Sequence, residues 1–200
     1  MIFGAGRDPE GQVESETGRL EAFSDGVLAV IITIMVLEIK APEGGGIDAL
    51  RPLVPEVLSY ILSFGLIAVY WNNHHHLLRA TRTISPGVMW ANMHLLFWLS
   101  LVPVATNWIG NHAHRSWPAA TLGLISMMAG AAYYVLSRLI IAANHGTGIE
   151  EAIGGDAKGI ASLVLYGAGV GLAFVHPYLA YACYTAVFVM WFIPDRRLSR

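Results

Sequence analysis

Charge is what this sequence has least of. Only 13% of its 200 residues are Asp, Glu, Lys or Arg, against 55% apolar, and the mean hydropathy is +0.53. So few charges cannot coat a water-exposed globule, and most fall at the chain ends or between long apolar stretches, which excludes an ordinary soluble domain. A net charge of −2 without a clustered basic face excludes a nucleic-acid footprint. The single cysteine, Cys183, lies inside an apolar stretch, so no disulfide framework and no cysteine-based metal or redox motif can form within the chain. Residues 1–18 have no apolar core of the signal-peptide kind and read as a disordered acidic segment. No Ser/His/Asp arrangement or phosphate-binding loop offers a hydrolase site, so an enzyme is not expected.

What is present is apolar length. A helix needs about 17–25 apolar residues to cross the hydrocarbon of a bilayer, and six stretches qualify, at about 20–39, 53–78, 87–108, 117–143, 157–175 and 178–193. They predict an all-α membrane protein of six transmembrane helices over residues 19–194, followed by a basic tail over 195–200. Positively charged flanks stay in the cytoplasm. With the N-terminus inside, the inner side carries Arg7, Arg19, Arg79, Arg82, Arg138, Lys158, Arg196, Arg197 and Arg200, and the outer side only Lys40, Arg51 and Arg115. Both termini are therefore expected in the cytoplasm.

The first apolar stretch is unusual because it holds Glu21, Ser24 and Asp25. An intramembrane carboxylate costs at least about 2.5–3.5 kcal/mol on insertion scales and needs partners. The far end of the second stretch supplies Trp71, Asn72, Asn73, His74, His75 and His76, and the start of the third supplies Asn92 and His94, all at a similar depth. At about 100° per residue, Val30, Ile34 and Leu37 form one stripe, while Glu21 and Asp25 lie roughly 140–180° away from Val30. Ser24 and Asp25 are thus expected to face helices two and three, and the Val/Ile/Leu stripe to face elsewhere. The three consecutive histidines point in different directions and cannot all ligate one ion, so no metal site is expected there.

The pattern Arg19-x-x-x-Phe23-Ser24-Asp25, followed by Gly-Val and by Ala29-Val30-x-x-Thr33-Ile34-x-Val36-Leu37-Glu38, resembles the first helix of the transmembrane protein 175 potassium channels of endolysosomes and prokaryotes. Trp71-x-x-His74-His75, Asn92 and Pro103 extend the resemblance. It implies a channel without a cofactor, with K⁺ as the permeant ion, in a prokaryotic plasma membrane. The first helix would line a central pore, with Val30, Ile34 and Leu37 as its apolar constriction and Thr33 beside it contributing to selectivity. Valine at the first constriction position, where a larger residue is usual, implies a wider or more easily wetted gate. A single Phe-Ser-Asp repeat implies a homotetramer. Arg19, Phe23, Ser24 and Asp25 would clamp the pore helix to its neighbours through Trp71, Asn73, His74, His75, Asn92 and His94.

Two other functions compete. A secondary transporter or metal-ion permease could use Asp25 and the cytoplasmic-side histidines, although paired helix breaks in matching halves are missing. A haem protein would need two histidines at matching depth, and the expected topology separates His94, His112, His114 and His176. Gly167-x-Gly169-x-Gly171 is expected to admit a close helix neighbour.

Overall fold

The computed structural model describes residues 9–42, 44–146 and 157–192, and every regular element among them is helical. Seven α-helices follow in order: α1 Pro9–Leu37, α2 Val54–Arg79, α3 Pro86–Ser100, α4 Val102–His112, α5 Ser116–Ala143, α6 Ala157–Leu172 and α7 Pro177–Phe192. A 3₁₀ turn, Ile47–Leu53, leads into α2.

Local chemistry accounts for the breaks. Proline near a helix start loses no hydrogen bond, because the first N–H groups have no acceptor in the helix anyway. Pro55 and Pro86 open α2 and α3 in this way. The Ser85 hydroxyl adds a side-chain cap, accepting from the Val88 N–H at 3.3 Å. Pro103 cannot donate to the Leu99 carbonyl, and its ring crowds that carbonyl. The stretch expected as one helix over 87–108 is accordingly two, α3 and α4, joined at Leu101. At the end of α5 the chain turns through Gly146, whose φ of +80° suits a residue without a Cβ.

A second departure lies at the N-terminus. Residues 9–18, expected to be part of a disordered lead-in, continue α1 backwards from the apolar stretch. Residues 1–8 and the basic tail lie outside the described residues.

Four helical runs, Glu16–Leu37, Ile47–Arg79, Pro86–His112 and Ser116–Ala143, are long and apolar enough to cross a membrane. Helices α6 and α7 are apolar but have 16 residues each, about 24 Å at 1.5 Å per residue. The core centres on α5, which packs against α3, α4, α6 and α7. Its small residues Ala119, Ala120, Gly123, Ala129 and Ala132 are buried and let neighbouring helices come close. Gly123 and Gly169 face the Tyr184 ring from opposite helices, and its hydroxyl donates to the Ala119 carbonyl at 3.0 Å. Of the three glycines expected to admit a neighbour, Gly169 is the one pressed against a ring, whereas Gly171 faces open space. Helix α1 lies at the edge of this bundle, against α2, α3 and α4.

Candidate functional site

Helix α1 has two distinct sides. Ser24, Leu28, Ile31 and Met35 recur every three or four residues, are buried, and form the face packed into the protomer. Val30, Ile34 and Leu37 lie on the other side and are 55%, 43% and 79% exposed. Thr33 shares that side and is exposed; its hydroxyl donates to the Val30 carbonyl at 2.9 Å, and its oxygen remains able to accept.

Three buried side chains tie α1, α2 and α3 together. Ser24, Asn92 and His74 are all shut off from solvent. The Ser24 hydroxyl donates its one hydrogen to the Leu20 carbonyl at 2.8 Å, so its oxygen is left to accept. Asn92 Nδ2 donates to it at 2.9 Å. That orientation turns Asn92 Oδ1, which can only accept, toward His74 Nε2 at 2.6 Å. The direction of donation therefore fixes the neutral His74 tautomer: hydrogen on Nε2 and a bare lone pair on Nδ1, which has no partner among the described residues.

The carboxylates beside this chain are held from α2. Trp71 Nε1–H donates to Asp25 Oδ1 at 3.0 Å, and the Trp71 ring stacks on His75 with centroids 5.7 Å apart. His75 Nδ1 is 2.7 Å from Glu21 Oε1. The structure thus brings together Ser24, Asp25, Trp71, His74, His75 and Asn92 from the expected set, and adds Glu21 as the partner of His75.

Four members of that set lie elsewhere. Asn73 donates to the Val69 carbonyl of its own helix at 2.7 Å, and its carbonyl accepts from the Tyr133 hydroxyl on α5. His94 is exposed and accepts from Trp98 Nε1 one turn along α3, away from α1. Arg19 is exposed and has no partner among the described residues, and Phe23 faces outward, half exposed.

A further tie, not expected from sequence, closes the other end of α1. Asn107 Nδ2 of α4 donates to Glu38 Oε2 at 2.6 Å. Close by, the Thr106 hydroxyl lies 2.7 Å from Ser63 Oγ and 3.8 Å from Met35 Sδ, joining α4 to α2 and α1. Glu38 is itself exposed but follows Met35 by three residues, in register with the packed face, and that register was the available signal.

The whole-chain likeness to known proteins follows the same helices. The family profile described as "Endosomal/lysosomal potassium channel TMEM175" matches residues 19–103, which contain α1 from Arg19 onward, α2, α3 and every tie around Ser24 and Asp25. A potassium channel of Chryseobacterium sp. (strain P1-3) is 46% identical over 92% of this chain and 96% of its own length. The endosomal/lysosomal proton channel TMEM175 of Homo sapiens is 34% identical over 33% of this chain and 16% of its own length. Among solved structures, the crystal structure of a lysosomal potassium-selective channel TMEM175 homolog from Chamaesiphon minutus superposes with a TM-score of 0.78 at 27% identity. The match covers 88% of this chain and 96% of that one. With nearly its full length matched to a potassium channel and to a TMEM175 homolog structure, this chain belongs to the TMEM175 family of membrane channels, which are not enzymes and carry no cofactor.

Proposed function

We propose that the chain is a potassium-permeable channel through which K⁺ passes passively along a pore lined by α1 in a homotetramer. Six apolar helices would cross a prokaryotic plasma membrane with both termini in the cytoplasm. One observation carries the pore assignment: the apolar stripe Val30, Ile34 and Leu37 is left uncovered while Ser24, Leu28, Ile31 and Met35 on the opposite face of α1 are buried. Four such stripes meeting at a symmetry axis would stack three apolar rings. A narrow apolar neck cannot replace an ion's hydration shell, so it conducts when it is wide enough to stay wet. Valine at the first ring makes that ring the widest. The oxygen of the exposed Thr33, between the first two rings, offers a weak polar contact that favours the more easily dehydrated ion, K⁺ over Na⁺. With no ring of filter carbonyls in the sequence, that preference is modest.

The buried chain Ser24–Asn92–His74 and the Asp25–Trp71 bond act as the clamp that holds α1 at a fixed rotation against α2 and α3. The names of the relatives support potassium as the permeant ion. The test is ion flux from liposomes containing the purified protein, comparing K⁺ with Na⁺ for the native chain and for Ile34→Asn. A polar ring should keep the neck wet and raise K⁺ flux several-fold. Flux unchanged by Ile34→Asn would overturn the gate, and no K⁺ flux from the native chain under any condition would overturn the channel reading.

A further inference from the structure

Glu21, Asp25 and His75 stand beside the buried Ser24 chain and form a separate group. Glu21 and Asp25 are one turn apart on α1, a spacing that puts both carboxylates on one face, and His75 meets them from α2. One oxygen of each carboxylate and one nitrogen of His75 all lie within 4.8 Å of one another. His75 Nδ1 is sealed from solvent and makes no directed hydrogen bond, although Glu21 Oε1 is 2.7 Å away. So short an approach of a ring nitrogen to a carboxylate oxygen calls for a positive charge, supplied either by a ring proton or by a metal ion.

A metal ion meets that need with the geometry at hand. Tetrahedral zinc binds nitrogen and oxygen at about 2.0–2.2 Å, which sets its ligands about 3.3–3.5 Å apart. That separation falls between the 2.7 Å of the closest pair and the 4.8 Å that bounds the group. A ring nitrogen sharing an ion with a carboxylate aims at the ion and not at the oxygen, which fits the missing directed bond. Orienting groups are also in place. Trp71 Nε1–H holds Asp25 Oδ1 and leaves Oδ2 free, and the Trp71 ring fixes the plane of His75; such partners set metal ligands in their working orientation. The side chains of Glu21 and His75 are 22% and 27% exposed, so an ion can enter from outside the protomer. His74 is not among the three residues whose ligand atoms converge, and its Nε2 is engaged by Asn92.

We propose that Glu21, Asp25 and His75 form a binding site for a divalent transition metal, of which zinc is the probe, bridging α1 to α2. One imidazole with two carboxylates suits zinc better than calcium or magnesium, which take oxygen ligands in larger number. The site does not depend on the pore assignment.

The test is zinc titration by calorimetry of tag-free, full-length protein in lipid nanodiscs, with Co²⁺ absorption as a second probe of ligand geometry. One zinc per chain is expected, with affinity lowered at least about tenfold in Glu21→Gln and in His75→Gln. His94→Gln should bind as the native chain does, because His94 pairs with Trp98 instead. Should His75→Gln fail to fold, His75→Cys, which restores a zinc ligand, and Glu21→Gln decide the matter. No saturable zinc binding by the native chain, equal affinity in Glu21→Gln, or loss of binding in His94→Gln would each overturn the proposal. Binding is read without ion flux, so its failure is separate from failure of the channel reading.

Discussion

Replacing Asn92 by Leu strikes a side chain that bonds to two other helices through both ends of its amide. It removes the donation to Ser24 on α1 and the acceptance from His74 on α2, in a site closed to solvent. Between membrane helices such a bond is worth about 0.6 kcal/mol on average and up to about 1.7. The His74 Nε2–H would be left buried without an acceptor, adding about 1–3 kcal/mol. Asn92→Leu should therefore destabilise the protein by about 2–6 kcal/mol. At this chain length each kcal/mol lowers Tm by about 2–4 °C. His74→Leu alone strands Asn92 Oδ1 in the same way. The two replacements together strand neither, so the double variant should cost less than the sum of the singles by about 1–3 kcal/mol. Thermal unfolding in mild detergent, followed through the fluorescence of the six tryptophans, reads all four proteins. Additivity within about 0.5 kcal/mol would refute the claim that these side chains act as one chain.

Two further outcomes test the packing around the site. Gly123→Ala would drive a methyl into the Tyr184 ring and hydroxyl, displacing the Tyr184–Ala119 bond. Overpacking of this kind costs about 1–3 kcal/mol, and Tyr184→Phe introduced with it should recover part of the loss in Tm. Asn144 holds the turn between α2 and α3, with Oδ1 accepting from the Arg82 and Thr83 N–H groups and Nδ2 donating to the Thr83 and Ile140 carbonyls. Asn144→Ala should speed hydrogen exchange at residues 82 and 83 at least tenfold, while α5 around Ala129 stays protected; equal protection before and after would show that other groups hold the turn.

Much of α1 was legible because two rules act on it together. A polar side chain in an apolar span must find a partner, which turned Ser24 and Asp25 inward, and the helical period then put Val30, Ile34 and Leu37 on the outer side. Depth along the membrane is legible too, and it places Trp71, His74, His75 and Asn92 level with Ser24 and Asp25. What depth cannot give is rotation about the axis of a partner helix. Asn73 is adjacent to His74 and His94 is two residues from Asn92, yet about 100–200° of rotation sends each to a different neighbour. Close approaches need both partners: nothing in Gly167-x-Gly169-x-Gly171 says which glycine meets Tyr184. At the N-terminus, acidic and glycine-rich composition suggested disorder, whereas Asp8-Pro9-Glu10 is a helix-start signal and acidic residues suit the first turns of a helix. Pro103 is visible in the third stretch, but a proline inside an apolar run marks a kink as readily as a break, so the division into α3 and α4 is not legible from it alone.

What holds α1 at its rotation follows from the solvent. In lipid the tails are as apolar as leucine, so burying Leu28, Ile31 and Met35 gains packing but little hydrophobic drive. Turning α1 by one residue, about 100°, would exchange one set of apolar contacts for another at small cost. The polar ties respond differently. Ser24 and Glu38 are fourteen residues apart, about 21 Å along the helix and only about 40° apart around it. Their bonds to Asn92 and Asn107 therefore pin both ends of one face. The same turn would break both ties at once, leaving the Glu38 carboxylate and the Asn92 amide N–H without those partners. The outward direction of Val30, Ile34 and Leu37 is thus set by polar bonds made on the opposite side of the helix. Asn92→Leu or Asn107→Leu should accordingly alter ion flux without touching the stripe, whereas Asn107→Gln, which keeps an amide donor, should leave it near the native level.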